Sequence, residues 1–87
     1  MSFRILINRR VEKEYSKLPK ANRQKVLEFL VAIENNPFPD NFDIKKIKGA
    51  DNTFRLRIGD FRLFYKILWN EKVILVTKLE RRSRAYR

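Results

Sequence analysis

The sequence predicts an α+β fold in the order βααβββ. It consists of an N-terminal strand, an antiparallel helical hairpin and a three-strand antiparallel meander, with the helices on one face of a small sheet. Residues 54–68 alternate in polarity around a Gly-Asp turn, as two paired strands do. Residues 8–35 carry apolar side chains at helical spacing. A chain of 87 residues is expected to form one domain, residues 1–87.

The N-terminal half contains the first strand and both helices. Ser2–Ile7 alternates between outward and inward side chains, which predicts a strand, and Asn8 is suited to cap the helix that follows. The first helix has a narrow apolar stripe: Val11, Tyr15 and Leu18. The second, from about residue 20 to residue 35, has a wider one: Val26, Leu27, Phe29, Leu30, Val31 and Ile33. The short connection at Pro19 predicts an antiparallel hairpin.

The segment between the helices and the meander contains the clearest helix breaker in the chain. Asn35–Asp40 includes Pro37 and Pro39, which keep the chain extended. Asp43–Lys48 is either a basic connector or a very short strand.

The central hairpin pairs Phe54–Ile58 with Phe61–Leu68 through a two-residue turn, where Gly59 supplies the positive φ that such turns need. This register places Arg57 opposite Arg62. One face is apolar: Phe54, Leu56, Ile58, Phe61, Leu63, Tyr65 and Ile67. The other is largely basic: Arg55, Arg57, Arg62, Phe64, Lys66 and Leu68.

The facing pair Arg57 and Arg62 is unusual, because like charges directly across two strands destabilise their pairing. An anionic ligand would supply the missing counter-charge, and phosphate fits the fork of a guanidinium. The alternative is that these arginines are solvated residues of a half-exposed sheet, whose long stems cover apolar surface.

The last strand is expected at Lys72–Leu79, which is rich in β-branched and apolar residues. A two-residue turn at Asn70-Glu71 would place Tyr65 opposite Val76 and Arg62 opposite Leu79. The basic C-terminal tail would then reach the end of the sheet where Arg62 lies.

The composition limits the possible kinds of active site. There is no His and no Cys, which excludes imidazole catalysis, a thiolate nucleophile and a zinc finger. The acidic residues are scattered, so neither a metal nor a cofactor is expected. A net charge of +11 favours nucleic acid, an anionic membrane or an acidic protein as the partner. No apolar run approaches the ~18 residues of a membrane span, and no signal peptide is recognisable, so a cytoplasmic protein is expected.

Four stretches together resemble the RelE/ParE superfamily of toxins, above all its RelE branch and the archaeal RelE toxins. They are K-L-P at 17–19, K-I-K-G at 46–49, F-R-L-R-I-G-D-F-R-L-F-Y-K-I at 54–67 and R-R-S-R-A-Y-R at 81–87. The most specific part is the pattern R-x-R-x-G-D-[FY]-R-x-x-Y at 55–65. The resemblance spans essentially the whole chain.

The resemblance implies a four-stranded antiparallel sheet with a helical hairpin on one face. It also implies a ribosome-dependent mRNA endonuclease that acts in the decoding site without metal, by attack of a ribose 2′-hydroxyl on the adjacent phosphate. An acidic, RelB-like antitoxin would bind and neutralise the toxin in a hetero-oligomer. The alternatives are a ParE-like toxin that inhibits DNA gyrase and a non-enzymatic basic RNA-binding module.

The resemblance also implies site residues by position. Arg55 and Arg57 match two basic residues of the catalytic cleft, and Arg62 matches the arginine that binds the scissile phosphate. Further RNA contacts are expected from a second set: Lys45, Lys46, Lys48, Phe64, Arg81 and Arg84. The lysines would meet either ribosomal RNA or antitoxin carboxylates, and the phenylalanine would either pack under an arginine stem or stack on a base.

Two more catalytic residues are expected in the tail. Arg82, or its neighbour Arg81, matches the arginine assigned to the leaving group or to transition-state charge, and Tyr86 matches a near-terminal tyrosine that orients the RNA base. Arg57 is a poor general base, because a guanidinium carries donors and no acceptor for a proton. The base is therefore expected to be Tyr86 or a water molecule.

Overall fold

The computed structural model describes residues 2–81. In chain order the elements are β1 (Arg4–Ile7), α1 (Arg9–Ser16), α2 (Lys20–Ile33), β2 (Asp43–Lys46), β3 (Thr53–Ile58), β4 (Phe61–Leu68) and β5 (Val73–Arg81). The α+β class is confirmed, as are the helical hairpin and the antiparallel meander of β3, β4 and β5. Neither helix is long and apolar enough to cross a membrane within the described range.

The sheet has the strand order β1-β5-β4-β3-β2 and differs from the expected one in two respects. Asp43–Lys48 was expected to be either a connector or a short strand, and it contains the strand β2, which pairs antiparallel with β3. The sheet therefore has five strands where four were expected. In addition, β1 runs parallel to β5, with Arg4 opposite Val73 and Ile7 opposite Val76. Parallel pairing is possible here because the helices and the meander form a long crossover between the two strands.

The helices begin where the sequence predicts. The side chain of Asn8 caps α1 by accepting a hydrogen bond of 2.8 Å from the Val11 amide. Pro19 precedes the first turn of α2, and Arg23 donates to the Leu18 carbonyl at 2.6 Å, which closes the corner between the helices. Leu27 and Val31, expected to widen the apolar stripe of α2, are instead exposed.

The core lies between the helices and one face of the sheet. Its fully buried residues come from α2 and from three adjacent strands: Phe29, Ile33, Leu56, Leu63, Tyr65, Ile67 and Ile74. The hydroxyl of Tyr65 donates a hydrogen bond of 2.7 Å to the carbonyl of Pro37. This bond ties the proline-containing loop to the centre of the core, and burial raises the pKa of Tyr65.

The central hairpin has the predicted register, with Ile58 opposite Phe61 and Arg57 opposite Arg62. The pairing of β4 with β5 begins as predicted, with Tyr65 opposite Val76, but a β-bulge then shifts it by one residue. Arg62 consequently faces Glu80, so the prediction that it faces Leu79 is wrong. The bulge changes which side chains reach each face of the sheet.

Candidate functional site

The candidate site lies on the face of the sheet opposite the helices, which we call the open face. Strand alternation and the observed registers place two cross-strand rows of side chains on it. The first row consists of Asp43, Arg57, Arg62 and Glu80. The second row consists of Lys45, Arg55, Phe64 and Lys78. The predicted catalytic arginines of the hairpin therefore share one surface.

The first row has two guanidiniums at its centre and a carboxylate at each end. Arg62 donates to Oε2 of Glu80, and Oε1 of Glu80 lies 3.1 Å from Nζ of Lys78. Asp43 is the cross-strand neighbour of Arg57 on the other side. The protein thus supplies part of the counter-charge itself, whereas the sequence predicted either an anionic ligand or solvated arginines.

Arg55 is half-buried in the second row, beside Phe64. Its Nε is buried and has no hydrogen-bond acceptor among the described residues. A buried donor of a charged group is costly when unsatisfied, so this position favours an acceptor atom supplied from outside the protein. Arg57, by contrast, is exposed.

Phe64 is half-buried on the open face, and Nζ of Lys78 lies 5.7 Å from the centre of its ring. The ring therefore supports a lysine at this point of the sheet. Lys78 is mostly exposed, with 61% of its side chain accessible. Lys78 adds to the site a cation that was not predicted from the sequence.

The other predicted RNA contacts are divided between the two faces. Lys45 belongs to the open face, whereas Lys46 lies over the ring of Phe54 on the helix side, at 5.9 Å. Lys48 is exposed beyond the end of β2. Arg81 faces Phe61, and its guanidinium carbon lies 5.7 Å from that ring on the helix side.

Three predicted residues of the tail, Arg82, Arg84 and Tyr86, lie outside the described residues. Since Arg81 lies on the helix side, away from Arg62, the choice of Arg82 as the catalytic arginine of the tail stays the better prediction.

Sequence reasoning missed Glu80 and Lys78 because both reach the open face through the bulge. A signal for the bulge was present in the sequence: Val76 and Leu79 are both apolar but three residues apart, so simple strand alternation cannot place both in the core, where the structure has them. In the part of the chain that is described, no three His, Cys, Asp or Glu side chains come together in a group that could hold a metal ion.

Comparison with known proteins adds the following. The model of the ParE toxin family of type II toxin–antitoxin systems, parDE, matches residues 5–86. RelE1 of Methanocaldococcus jannaschii is 41% identical over 88 aligned positions, which cover 100% of this chain and 98% of that protein. The archaeal RelE–RelB complex from Pyrococcus horikoshii contains a chain with 38% identity and a TM-score of 0.84, covering 97% of this chain and 99% of that chain. The intact RelBE complex of E. coli shares the fold, with a TM-score of 0.80 at 20% identity and coverages of 95% and 100%.

Proposed function

This chain belongs to the RelE/ParE superfamily of toxins from type II toxin–antitoxin systems, and from that membership we propose that it is a ribosome-dependent mRNA endonuclease of the RelE kind. The observation that carries the proposal is the convergence of Arg55, Arg57 and Arg62 on the open face of the sheet. Three guanidiniums on one rigid surface suit a phosphodiester better than they suit the stability of an isolated sheet.

The proposed reaction is an internal transesterification that needs no metal or cofactor. The ribose 2′-oxygen forms a bond to the adjacent phosphorus while the bond from phosphorus to the 5′-oxygen of the next nucleotide breaks. The proton of the 2′-hydroxyl passes to a base, and the departing 5′-oxygen takes up a proton. The products are a 2′,3′-cyclic phosphate and a 5′-hydroxyl. Negative charge grows on the non-bridging oxygens, where fixed guanidiniums stabilise it.

The residues have distinct proposed roles in this reaction. Arg62 binds the scissile phosphate, and Arg57 and Arg55 neutralise charge along the RNA backbone. By the family resemblance, Arg82 protonates the leaving group or stabilises its charge. Tyr86, or a water molecule, serves as the base.

The proposed partners are mRNA in the decoding site of the small ribosomal subunit and a RelB-like antitoxin. The relatives from Pyrococcus horikoshii and Methanococcus jannaschii were both crystallised as RelE–RelB complexes. The net charge of +11 on this chain would attract an antitoxin that is acidic where it binds, and the two would form a hetero-oligomer.

The test is to incubate the purified protein with ribosomes programmed with a defined mRNA and to map the RNA ends. We expect cuts within the codon of the decoding site, and we expect Arg62→Ala to slow them by about 100-fold or more, as the loss of a preorganised charge donor does. Arg9→Ala is the matched control, because it removes the same charge from the exposed start of α1. Inhibition of DNA gyrase without any cut in mRNA would instead support the ParE-like alternative and refute the proposal.

A further inference from the structure

We propose that Glu80 is a positioning residue that holds the guanidinium of Arg62 in the orientation needed to bind phosphate, an inference that rests on the proposed function. Neither the family resemblance nor the sequence pattern assigns a role to this glutamate. Three features carry the inference: the bulge in β5, the contacts of the Glu80 carboxylate and the low exposure of the ion pair between Arg62 and Glu80.

The bulge is what brings Glu80 to Arg62. From Leu68 to Tyr65, β4 pairs residue for residue with β5, but Phe64 then pairs with Lys78, so that Thr77 is the extra residue. Thr77 donates from Oγ1 to the carbonyl of Phe64 at 3.3 Å, a bond across the interrupted ladder. Bulges are frequent next to active sites, where they redirect side chains.

If Thr77 paired with Phe64 in a regular ladder, Leu79 would lie on the open face beside Arg62 and Lys78 would point into the core opposite Leu63. With the bulge, Leu79 is buried at 5% exposure and Glu80 faces Arg62. One backbone irregularity therefore completes the core and places the carboxylate in the site.

Each carboxylate oxygen of Glu80 has a different cationic neighbour. Oε2 accepts from a terminal nitrogen of Arg62, and Oε1 lies 3.1 Å from Nζ of Lys78. The side chains of Arg62 and Glu80 are only 18% and 26% exposed, so water screens this pair less than it screens an ordinary surface ion pair. The contact therefore restricts the rotamers of a long side chain.

A carboxylate beside a phosphate-binding arginine could in principle compete with the phosphate. The geometry favours positioning, because the two oxygens of Glu80 are divided between Arg62 and Lys78 and do not both engage the guanidinium. Lys78 also offsets the negative charge that Glu80 presents to an approaching RNA. The two interpretations predict opposite effects when Glu80 is removed: positioning predicts a slower enzyme and competition predicts a faster or tighter-binding one.

The first experiment compares cleavage of ribosome-bound mRNA by the parent protein, Glu80→Ala and the matched control Glu71→Ala. Glu71 lies in the exposed turn before β5, so its replacement makes the same change in net charge away from the site. We expect Glu80→Ala to lower kcat by about tenfold to 100-fold with little change in KM, because a displaced catalytic group costs rate more than binding. Glu71→Ala should leave both constants unchanged.

A double-mutant cycle tests whether Glu80 acts through Arg62. In an Arg62→Ala background, Glu80→Ala should have no further effect on kcat. Glu80→Gln keeps an acceptor oxygen for Arg62 and should retain more activity than Glu80→Ala, and it also serves if the alanine variant does not fold. An equal loss from Glu80→Ala in both backgrounds, or a gain in activity, would overturn the inference.

A second readout does not depend on nuclease activity. The ¹⁵Nε–¹Hε signal of Arg62 reports the mobility of its side chain by NMR, and we expect a rigid signal in the parent protein that becomes mobile in Glu80→Ala but not in Glu71→Ala. An unchanged Arg62 signal in Glu80→Ala would refute the positioning role. If the parent protein leaves mRNA intact, the proposed function fails, and the NMR comparison still decides whether Glu80 fixes Arg62.

Discussion

The hydrogen bond from Tyr65 to the Pro37 carbonyl provides a sharp test of the fold, because the change Tyr65→Phe removes one oxygen and nothing else. Both residues are buried, and the bond is 2.7 Å long. Removing the donor leaves a buried carbonyl unsatisfied, so we expect the free energy of unfolding to fall by about 1–3 kcal/mol at pH 7. That is a large share of the ~5–15 kcal/mol by which a domain is stable.

The same substitution makes a second prediction, about alkaline pH. Burial raises the pKa of Tyr65 in the folded protein, whereas in the unfolded chain it is about 10. Above that pH the unfolded chain loses the proton while the folded protein retains it. The stability that this group contributes is therefore complete below pH ~10 and is lost by up to ~1.4 kcal/mol for each further pH unit.

The assay is urea denaturation of the parent protein and of Tyr65→Phe between pH 7 and pH 11. All other ionisable groups are the same in both proteins, so the difference between the two isolates Tyr65. We expect the stability advantage of the parent protein to be constant up to about pH 10 and to shrink above it. An advantage that is absent at pH 7, or that does not change up to pH 11, would refute the reasoning from the buried hydroxyl.

Two further predictions concern β5. Deletion of Thr77 should abolish the bulge without changing which residues of β5 face Leu63 and Arg62, because Thr77 is the residue that has no partner on β4. We therefore expect Leu79 to stay buried and the stability in urea denaturation to stay within about 1 kcal/mol of that of the control Thr77→Ala. A loss of about 3 kcal/mol or more, as expected when a leucine leaves the core, would refute this assignment of the bulge. Arg81→Ala should change the rate of mRNA cleavage by less than about threefold, because Arg81 packs on Phe61 on the helix side, away from the proposed phosphate site on the open face. A loss as large as that of Arg62→Ala would place Arg81 in the active site.

Turn residues, strand alternation and helix caps were sufficient to predict the central hairpin and the first helix. The Gly59 turn and the alternation of β3 and β4 were sufficient for the hairpin register, and the Asn8 cap and the apolar stripe located α1. The parallel pairing of β1 with β5 could not be predicted from local patterns, because these strands are far apart in sequence. Their pairing depends on how the intervening helices pack on the sheet. The sequence could not decide whether the segment of β2 is a strand or a connector, because its pairing with β3, not its composition, makes it a strand.

In the candidate site, too, local patterns predicted some residues and missed those that depend on strand pairing. The shared face of Arg55, Arg57 and Arg62 follows directly from alternation and the turn. Glu80 and Lys78 reach that face only because one residue bulges out of β5, so counting from the Asn70-Glu71 turn assigned Leu79 to Arg62. The roles of Arg82, Arg84 and Tyr86 stay predictions from the family resemblance, since these residues lie outside the described part of the chain.

The central claim is that the open face stabilises attack by a ribose 2′-hydroxyl on one phosphodiester of ribosome-bound mRNA. The most direct test measures cleavage on ribosomes that are programmed with an mRNA carrying a single 2′-deoxy nucleotide immediately 5′ to the mapped cut. We expect the unmodified message to yield a 2′,3′-cyclic phosphate end, detectable by mass spectrometry, and the deoxy message to stay intact at that position. Cleavage of the deoxy message at the same bond would contradict the claim.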